Sequence, residues 1–365
     1  MEVVIDGYIY HAQKTGGISR IFNEVLPVMC LLDPSISIKL IMHTTKSDLS
    51  KRIEQISIPN LEKCLLPRNL WKDFYPFLNN LLINQKVKYT KNRIFHSTYY
   101  RSLAGWRGKQ IFSVYDLIYE KYPEAFNDAR DVIHLKSQAF KRADHLICIS
   151  NATKQDLTYH YNIPEEKISV SHLGYGEQFR PVKSSDIDFR MDAPFILYVG
   201  GRAKYKGFSD LITAYSEWPL RRDIKLVVVG NEWTKQEAEL LSKMGIENQV
   251  LPLGQIDDQK LCDLYNQARA FVYPSHHEGF GLPLLEAMAC ACPLIASSIP
   301  STHEVAGNVP FYFEAGNPES LLEALDVCIE KNRRDADQIK MGLLWVKQYS
   351  WQKTAQAMID VYHSV

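Results

Sequence analysis

Short apolar runs alternate with amphipathic stretches almost from one end of this 365-residue chain to the other. The runs are rich in β-branched and aromatic side chains, and most precede a stretch in which apolar residues recur with a period of about 3.6. Such alternation predicts parallel sheets covered by helices on both faces. In the first half, the predicted strands are Val3–Asp6, Ile38–Met42, Ile94–Ser97, Gln110–Tyr115, His145–Ser150 and Lys167–His172, and the predicted helices include Ile18–Leu32 and Asp128–Ala143.

A polar, aperiodic segment with two prolines interrupts this alternation between Gly174 and Pro194, which is typical of a linker. We therefore expect an α/β fold with two Rossmann-like, doubly wound domains facing each other across a cleft. They comprise residues 1–174 and 195–365, joined by a linker at 175–194, and the last helix is able to pack back on the first domain. The second domain is predicted to contain strands Phe195–Val199, Lys225–Val229, Gln249–Leu253, Ala270–Tyr273 and Leu294–Ala296, and helices Phe208–Trp218, Thr234–Met244, Asp258–Ala268 and Pro283–Cys290, followed by two or three tail helices from Pro318.

Composition excludes several classes of protein. The 42 basic and 42 acidic side chains cancel, which argues against a general polyanion binder. The seven cysteines are an odd number without a Cys-x-x-Cys pair, which is typical of reduced thiols rather than of a disulfide frame or a zinc site. No secretory signal or membrane-spanning run is apparent, so we expect a cytoplasmic protein.

Three loops of the second half follow predicted strands, where open parallel sheets bind ligands. In the loop at 200–207, Arg202 and Lys206 could both reach one diphosphate, although solvated side chains explain them equally well. The loop at 251–258 is explained by a strand-to-helix turn with Asp257 as N-cap. Neither Gly-x-Gly-x-x-Gly nor a P-loop occurs here, which argues against nicotinamide binding and P-loop hydrolysis.

The third loop places Glu278 and Glu286 on either side of a glycine turn. Gly279 and Gly281 allow close backbone approach, and Pro283 suits the first position of a helix whose amides would attract phosphate. Glu286, predicted in the first turn, could accept hydrogen bonds from ribose or merely complement the helix dipole. Glu278 has no evident structural task.

This segment, EGFGLPLLE at 278–286, preceded by YPS and followed by AMAC-x-x-PLIAS, resembles the signature of the family 4 retaining glycosyltransferases, which have a two-domain GT-B fold. Further matching motifs are TGGISR at Thr15–Arg20, VYDL at Val114–Leu117, ICISNATKQDL at Ile147–Leu157, and YSW at Tyr349–Trp351.

The resemblance implies a role for each matching residue. Arg202 and Lys206 would neutralise the donor diphosphate where other transferases use a metal ion, and Glu278 would lie near the donor sugar, so these three form the expected catalytic set. Glu286 would bind the nucleotide ribose. The remaining donor-binding positions implied are Gly16, Gly17, Gly201, Gly279, Phe280, Gly281 and Leu282.

Two positions depart from the family pattern. Tyr115-Asp116 stands where many members have His-Asp, and we expect these residues to contact the donor sugar or the acceptor. Ala291 stands where a glycine is usual. The Asp-x-Asp pairs at 186–188 and 335–337 are expected to be turn or cap residues, so neither a metal nor another cofactor is expected.

A basic stretch lies between Pro67 and Lys109, with nine basic residues and one acidic residue. It could bind an anionic membrane or acceptor, or it could be a solvated face over core residues. Nothing in it resembles a nucleic-acid-binding module. The basic residues are Arg68, Lys72, Lys86, Lys88, Lys91, Arg93, Arg101, Arg107 and Lys109.

The resemblance thus implies a retaining transferase that moves a sugar of mannosyl or rhamnosyl type from a nucleotide diphosphate to a glycan or lipid-linked acceptor in bacterial surface polysaccharide synthesis. The enzyme would be cytoplasmic and could attach peripherally to the inner face of the cytoplasmic membrane. A sugar-nucleotide epimerase on the same scaffold and a binding-only homologue are the alternatives. The first would need acid and base groups in the cleft, and the second would need loss of the basic pair or of a glutamate.

Overall fold

The computed structural model describes residues 1–12, 16–42, 49, 52–58, 81–83, 85–87, 92–103, 105–330 and 336–365. These residues form two compact units, one made of Met1–Leu173 with Trp351–Val365 and the other of Gly174–Ser350. Each unit contains a parallel sheet with helices, as the alternating pattern predicts. None of the helices in the described ranges is both long and apolar enough to cross a membrane.

The first unit contains a parallel sheet of seven strands in the order β3-β2-β1-β4-β5-β6-β7. Its strands are β1 Glu2–Asp6, β2 Ser37–Met42, β3 Ile53–Ser57, β4 Arg93–Ser97, β5 Lys109–Val114, β6 His145–Cys148 and β7 Ile168–Val170. Its helices are α1 Ile9–Ala12, α2 Gly17–Leu32, α3 Ile118–Lys121, α4 Ala129–Arg142, α5 Asn151–Tyr161 and, after the second unit, α13 Trp351–Ser364, with 3-10 turns at Pro123–Ala125 and Glu165–Lys167.

The second unit contains a parallel sheet of six strands in the order β10-β9-β8-β11-β12-β13. Its strands are β8 Phe195–Val199, β9 Lys225–Val229, β10 Val250–Gly254, β11 Ala270–Tyr273, β12 Leu294–Ser297 and β13 Phe311–Phe313. Its helices are α6 Phe208–Glu217, α7 Lys235–Lys243, α8 Asp258–Gln267, α9 Leu282–Ala289, α10 Pro300–Ala306, α11 Pro318–Glu330 and α12 Ala336–Trp345, with 3-10 turns at Ser184–Asp186, Lys204–Lys206, Pro219–Arg222 and Val346–Gln348.

Local sequence explains where several helices begin. Ser150 caps α5 by accepting a hydrogen bond from the Thr153 N–H, at 2.9 Å. Thr234 and Glu237 form a reciprocal capping box at the start of α7, and Asp257 caps α8 as predicted, accepting from the Lys260 N–H at 2.8 Å. Because these bonds link residues three positions apart, they can be read from the sequence.

The segment predicted as a linker, 174–194, packs on α8 within the second unit. The Asp263 carboxylate accepts from the Phe189 N–H at 3.0 Å, and the Asn266 side chain accepts from the Val182 N–H at 2.9 Å. Both α8 side chains are buried. Buried polar side chains of α8 therefore satisfy backbone amides of this segment, which belongs to the second unit.

Two details of the helix after the glycine turn differ from the prediction. Helix α9 begins at Leu282, so Pro283 is its second residue rather than its first. Glu286 is consequently the fifth helical residue and lies beyond the first turn. The first turn of α9 contains no acidic residue. Gly281 is the N-cap residue and has φ of +117°, a conformation that glycine tolerates. The helix therefore begins one residue earlier than the proline pattern indicated.

At the end of α9, Ala291 adopts φ of +56°, in the left-handed region. The Cys292 N–H donates to the Ala287 carbonyl at 2.9 Å, which closes the helix end. This conformation explains why a glycine is usual at this position, since an alanine there carries roughly 1–2 kcal/mol of backbone strain.

Candidate functional site

Strand order in the second unit reverses between β8 and β11, the point where doubly wound sheets bind ligands. The loops after these two strands carry the basic residues and Glu278. They approach at backbone distance, because the His276 N–H donates to the Tyr205 carbonyl at 2.8 Å. Gly207, with φ of +63°, makes this approach possible, since a Cβ there would lie 2.0 Å from the Pro274 carbonyl oxygen.

Lys206 and Glu278, one on each loop, form an ion pair. The Lys206 Nζ donates to both carboxylate oxygens of Glu278, at 2.7 and 2.9 Å. The Ser275 hydroxyl donates to Oε1 of Glu278 at 2.6 Å, and its carbonyl accepts from the Ser297 hydroxyl at 2.5 Å. Burial, and then the Glu278 charge, raise the pKa of Tyr273 well above its usual range, so this phenol stays neutral beside the carboxylate.

Arg202 lies in the same loop but has different partners. Its Nε donates to Oε1 of Glu237 at 2.6 Å and its Nη2 to Oε2 at 3.2 Å. The guanidinium also donates to the carbonyls of Asn231, at 2.9 Å, and Glu232, at 2.7 Å, and stacks on the Trp233 ring with its carbon 4.5 Å from the ring centre. Only 5% of the Arg202 side chain is exposed.

The carboxylate that holds Arg202 is stabilised in its charged form. Burial alone would raise the pKa of Glu237, but hydrogen bonds from Arg202 and from Thr234 outweigh burial and lower it. The two basic residues expected to share one diphosphate are therefore each paired with a different glutamate.

Glu286 is almost completely buried, with 3% of its surface exposed. The Tyr265 hydroxyl, from α8, donates to its Oε2 at 3.2 Å. Burial first, and then the charge of Glu286, raise the pKa of Tyr265 well above its usual range. This carboxylate is therefore held inside the unit by a neighbouring helix.

The remaining residues of the glycine turn enclose the start of α9. Phe280 is buried and meets the Tyr349 ring edge to face, with the ring centres 5.9 Å apart. The Phe280 side chain therefore packs in the interior, so any contact of Phe280 with a ligand would come from its backbone. The short 3-10 turn at Lys204–Lys206 completes the opposite loop.

The first unit places Gly16 and Gly17 at the start of α2. Gly16 is extended and its carbonyl accepts from the Ser19 hydroxyl at 3.0 Å. A Cβ on Gly17 would have no atom of the described residues within 4 Å. Residue Thr15 of the matching motif lies outside the described residues.

Tyr115 and Asp116 differ in accessibility. The Tyr115 hydroxyl donates to the Thr98 carbonyl at 3.1 Å in the interior, and burial raises its pKa. The Asp116 carboxylate is partly exposed, with Oδ1 accepting from the Ile118 N–H at 3.1 Å and lying 3.8 Å from Lys136 Nζ. Of the pair, Asp116 is the one that can reach a ligand.

Four of the nine basic residues of the stretch at 67–109 lie outside the described residues, namely Arg68, Lys72, Lys88 and Lys91. Arg93, which is described, is buried and pairs with Glu2 at 2.9 Å. Lys109 pairs with Asp144 at 3.3 Å. Arg93 therefore stabilises the unit, whereas Lys86, Arg107 and Lys109 lie at the surface, and binding of a membrane or an acceptor by this stretch stays a prediction.

The sequence did not indicate several residues of the second unit: Ser275, Ser297, Glu237 and the pair His276–Asp210, whose Nε2 and Oδ2 atoms lie 2.5 Å apart. Nor did it indicate Lys136, which lies beside Asp116 in the first unit. Only Glu237 carried a readable signal, as the last residue of a Thr-x-x-Glu capping box. Within the described ranges, no three His, Cys, Asp or Glu side chains are grouped as metal ligands.

Comparison with known proteins gives two family matches. Residues 179–345 match the model described as glycosyl transferases group 1, and residues 39–176 match glycosyltransferase family 4. The chain is 28% identical over 216 residues to the O-antigen chain mannosyltransferase RfbU of Salmonella typhimurium, covering 59% of this chain and 60% of that protein. It is 24% identical over 235 residues to the O-antigen chain mannosyltransferase B of Escherichia coli, covering 62% of each.

The chain thus spans about 60% of the length of these curated relatives. Among solved structures, it is similar to the sucrose-phosphate synthase of Thermosynechococcus elongatus, with a TM-score of 0.80 and 20% identity over 100% of this chain and 98% of that one. At this identity the likeness concerns the fold.

Proposed function

Because this chain belongs to the group 1, family 4 glycosyltransferases and has their GT-B fold, we propose that it transfers a sugar from a nucleotide diphosphate donor to a glycan or lipid-linked acceptor, with retention at the anomeric carbon. The observation that supports this most is the Lys206–Glu278 pair, which lies at the strand-order reversal of the second unit.

The chemistry of this pair fits the departure of a diphosphate. Negative charge develops on the leaving group during transfer, and a positioned ammonium such as Lys206 stabilises it, which is usually the largest catalytic contribution. Glu278, bound to Lys206, would lie beside the donor sugar. Glu286 would bind the ribose after a small rearrangement around Tyr265.

We propose further that the sugar is mannosyl or of the related rhamnosyl type and that the product is a bacterial surface polysaccharide. The two curated relatives are named O-antigen chain mannosyltransferases. The group 1 match at residues 179–345 includes the motif that holds Glu278. The described cysteines are buried free thiols, which suits an enzyme working in the reducing cytoplasm.

A thermal-shift screen with GDP-mannose, dTDP-rhamnose, UDP-glucose and ADP-glucose tests the donor class. The true donor should raise the melting temperature, because ligand at 100 times its Kd stabilises a fold by about 2.7 kcal/mol. Transfer to an acceptor extract, followed by NMR of the anomeric proton, should show an α-linked product from an α-linked donor.

Two variants connect the screen to the site. Glu286→Ala should weaken nucleotide binding, whereas Lys206→Ala should lower turnover more than tenfold. Lys204→Ala, an exposed lysine of the same loop, is the matched control. Full transfer by both Glu286→Ala and Lys206→Ala would contradict the site assignment.

A further inference from the structure

Arg202 makes more contacts within the protein than a residue that only binds a ligand would need. Four hydrogen bonds reach Glu237 and the carbonyls of Asn231 and Glu232, and the Trp233 ring covers one face of the guanidinium. Such a charge-assisted, forked contact uses the same donors that would bind a phosphate. A diphosphate that takes over the forked Nε and Nη2 contact of Arg202 therefore displaces Glu237.

The partners of Arg202 would still have hydrogen-bond donors if Arg202 moved away from them. Oε2 of Glu237 also accepts from the Thr234 N–H at 2.7 Å and from the Thr234 hydroxyl at 2.8 Å. These two bonds, and the N-terminus of α7, would continue to stabilise the carboxylate. Asn231 and Glu232 are exposed, so water can replace Arg202 at their carbonyls.

A purely structural ion pair would not have this property. Removing one partner of a pair that depends on the other leaves an uncompensated charge, which is strongly unfavourable. Here the carboxylate has a second set of donors, and the arginine sits four residues before Lys206 in the loop that follows β8. The arrangement suits an arginine that exchanges between two anions.

We propose that Glu237 is a positioning residue that holds Arg202 until the donor diphosphate replaces it, and that Glu237 thereby competes with the donor. This inference rests on the proposed function, because the competing ligand is the donor of that reaction. The consequence is quantitative: the apparent association constant for the donor equals the intrinsic constant multiplied by the fraction of molecules in which Arg202 is released. Weakening the ion pair between Glu237 and Arg202 should therefore lower the Kd of the donor.

Glu237→Gln tests this with a change of charge and almost none of shape. The amide oxygen can still accept from Thr234, so α7 keeps its cap, while the ionic contact to Arg202 is lost. Calorimetric titration with the nucleotide sugar from the screen, and separately with inorganic pyrophosphate, should show Kd lowered roughly three- to tenfold. KM should fall with it, and kcat should not rise.

Glu239→Gln is the matched control, since it removes the same charge from an exposed position of the same helix. A general loss of negative charge would tighten binding equally in both variants and would overturn the proposal. A merely structural Glu237 would give the variant a higher Kd, and that result would also overturn it.

A second measurement uses the parent protein and does not depend on whether Glu237→Gln folds. If Arg202 leaves the face of Trp233 when pyrophosphate binds, the fluorescence of Trp233 should change in the parent protein, and the change should be absent from Trp233→Phe. Unchanged Trp233 emission at saturating pyrophosphate would rule out the exchange. A parent that binds pyrophosphate with this signal but no nucleotide sugar would refute the proposed function and leave the exchange of Arg202 standing.

Discussion

At the scale of single residues, the site is organised by two glutamate–cation pairs with different surroundings. The Lys206–Glu278 pair is supported by Ser275, whose hydroxyl donates to the carboxylate, and 11% of the Glu278 side chain is exposed. Arg202 is paired with Glu237 at a helix start. Because low exposure strengthens electrostatic interactions, each pair should be energetically coupled rather than incidental.

A double-mutant cycle measures this coupling for Lys206 and Glu278. We expect Lys206→Ala and Glu278→Ala to be non-additive in the free energy of unfolding, with an interaction of about 1 kcal/mol or more. Urea denaturation of the two single variants and the double variant gives the value. The same cycle with the exposed Lys204 in place of Lys206 should give an interaction near zero, and equal values in the two cycles would contradict the specific pairing.

At the scale of elements, the strand-turn-helix unit β8–α6 is fixed against the loop after β11 by backbone contact. Gly207, the N-cap residue of α6, adopts the left-handed conformation directly against the Pro274 carbonyl. Any side chain at this position would push apart the two loops that bring Lys206 to Glu278. The position of the ammonium is therefore set by a glycine one residue away from it.

Gly207→Ala should destabilise the second unit by at least about 2 kcal/mol, since a left-handed alanine costs roughly 1–2 kcal/mol before the clash with Pro274 is counted. Gly201→Ala is the control in the same loop, because a Cβ there would meet no atom within 4 Å. We expect its effect on stability to stay within about 0.5 kcal/mol. Urea denaturation of both variants would refute this explanation if they were equally stable.

At the scale of the whole molecule, buried polar side chains join elements that are distant in sequence. His96, on β4, lies 2.6 Å from the Tyr362 hydroxyl of α13 and 2.9 Å from the Ser113 hydroxyl of β5. It therefore links the C-terminal helix to the sheet of the first unit. Burial lowers the pKa of His96 to about 3, so the imidazole is neutral in the folded protein.

This burial makes stability depend on pH. An unfolded histidine binds a proton below its pKa of about 6.5, whereas folded His96 does not until about pH 3, so unfolding becomes easier as pH falls through this window. Between pH 7 and pH 5 the contribution of His96 amounts to a loss of about 2 kcal/mol.

Comparison of urea midpoints at pH 7 and pH 5 checks this expectation. In His96→Gln, the difference in unfolding free energy between the two pH values should shrink by about 2 kcal/mol, whatever the variant loses at pH 7. His134→Gln, which changes an exposed histidine, should keep the difference of the parent. A parent-like difference in His96→Gln would mean that another group controls acid sensitivity.

The fold class and much of the secondary structure follow from the amino-acid sequence, because periodicity and capping are local. Strands Phe195–Val199, Lys225–Val229 and Ala270–Tyr273 have the predicted bounds, and Asp257 is the predicted cap. Strands β3 and β13, at sheet edges, were not predicted, since their assignment depends on a neighbouring strand. The family motif was equally local, and the predicted family and fold class are confirmed.

Only the tertiary structure decided which partner each side chain of the motif selects. Arg202 pairs with a residue 35 positions away, Lys206 with one 72 positions away, and Glu286 with a tyrosine 21 positions away. The roles assigned to these residues in donor binding remain predictions. A motif specifies which charges a loop carries, but the folded chain brings each charge to its counter-charge, because electrostatic and hydrogen-bond energies depend on distance in space and not on separation in sequence.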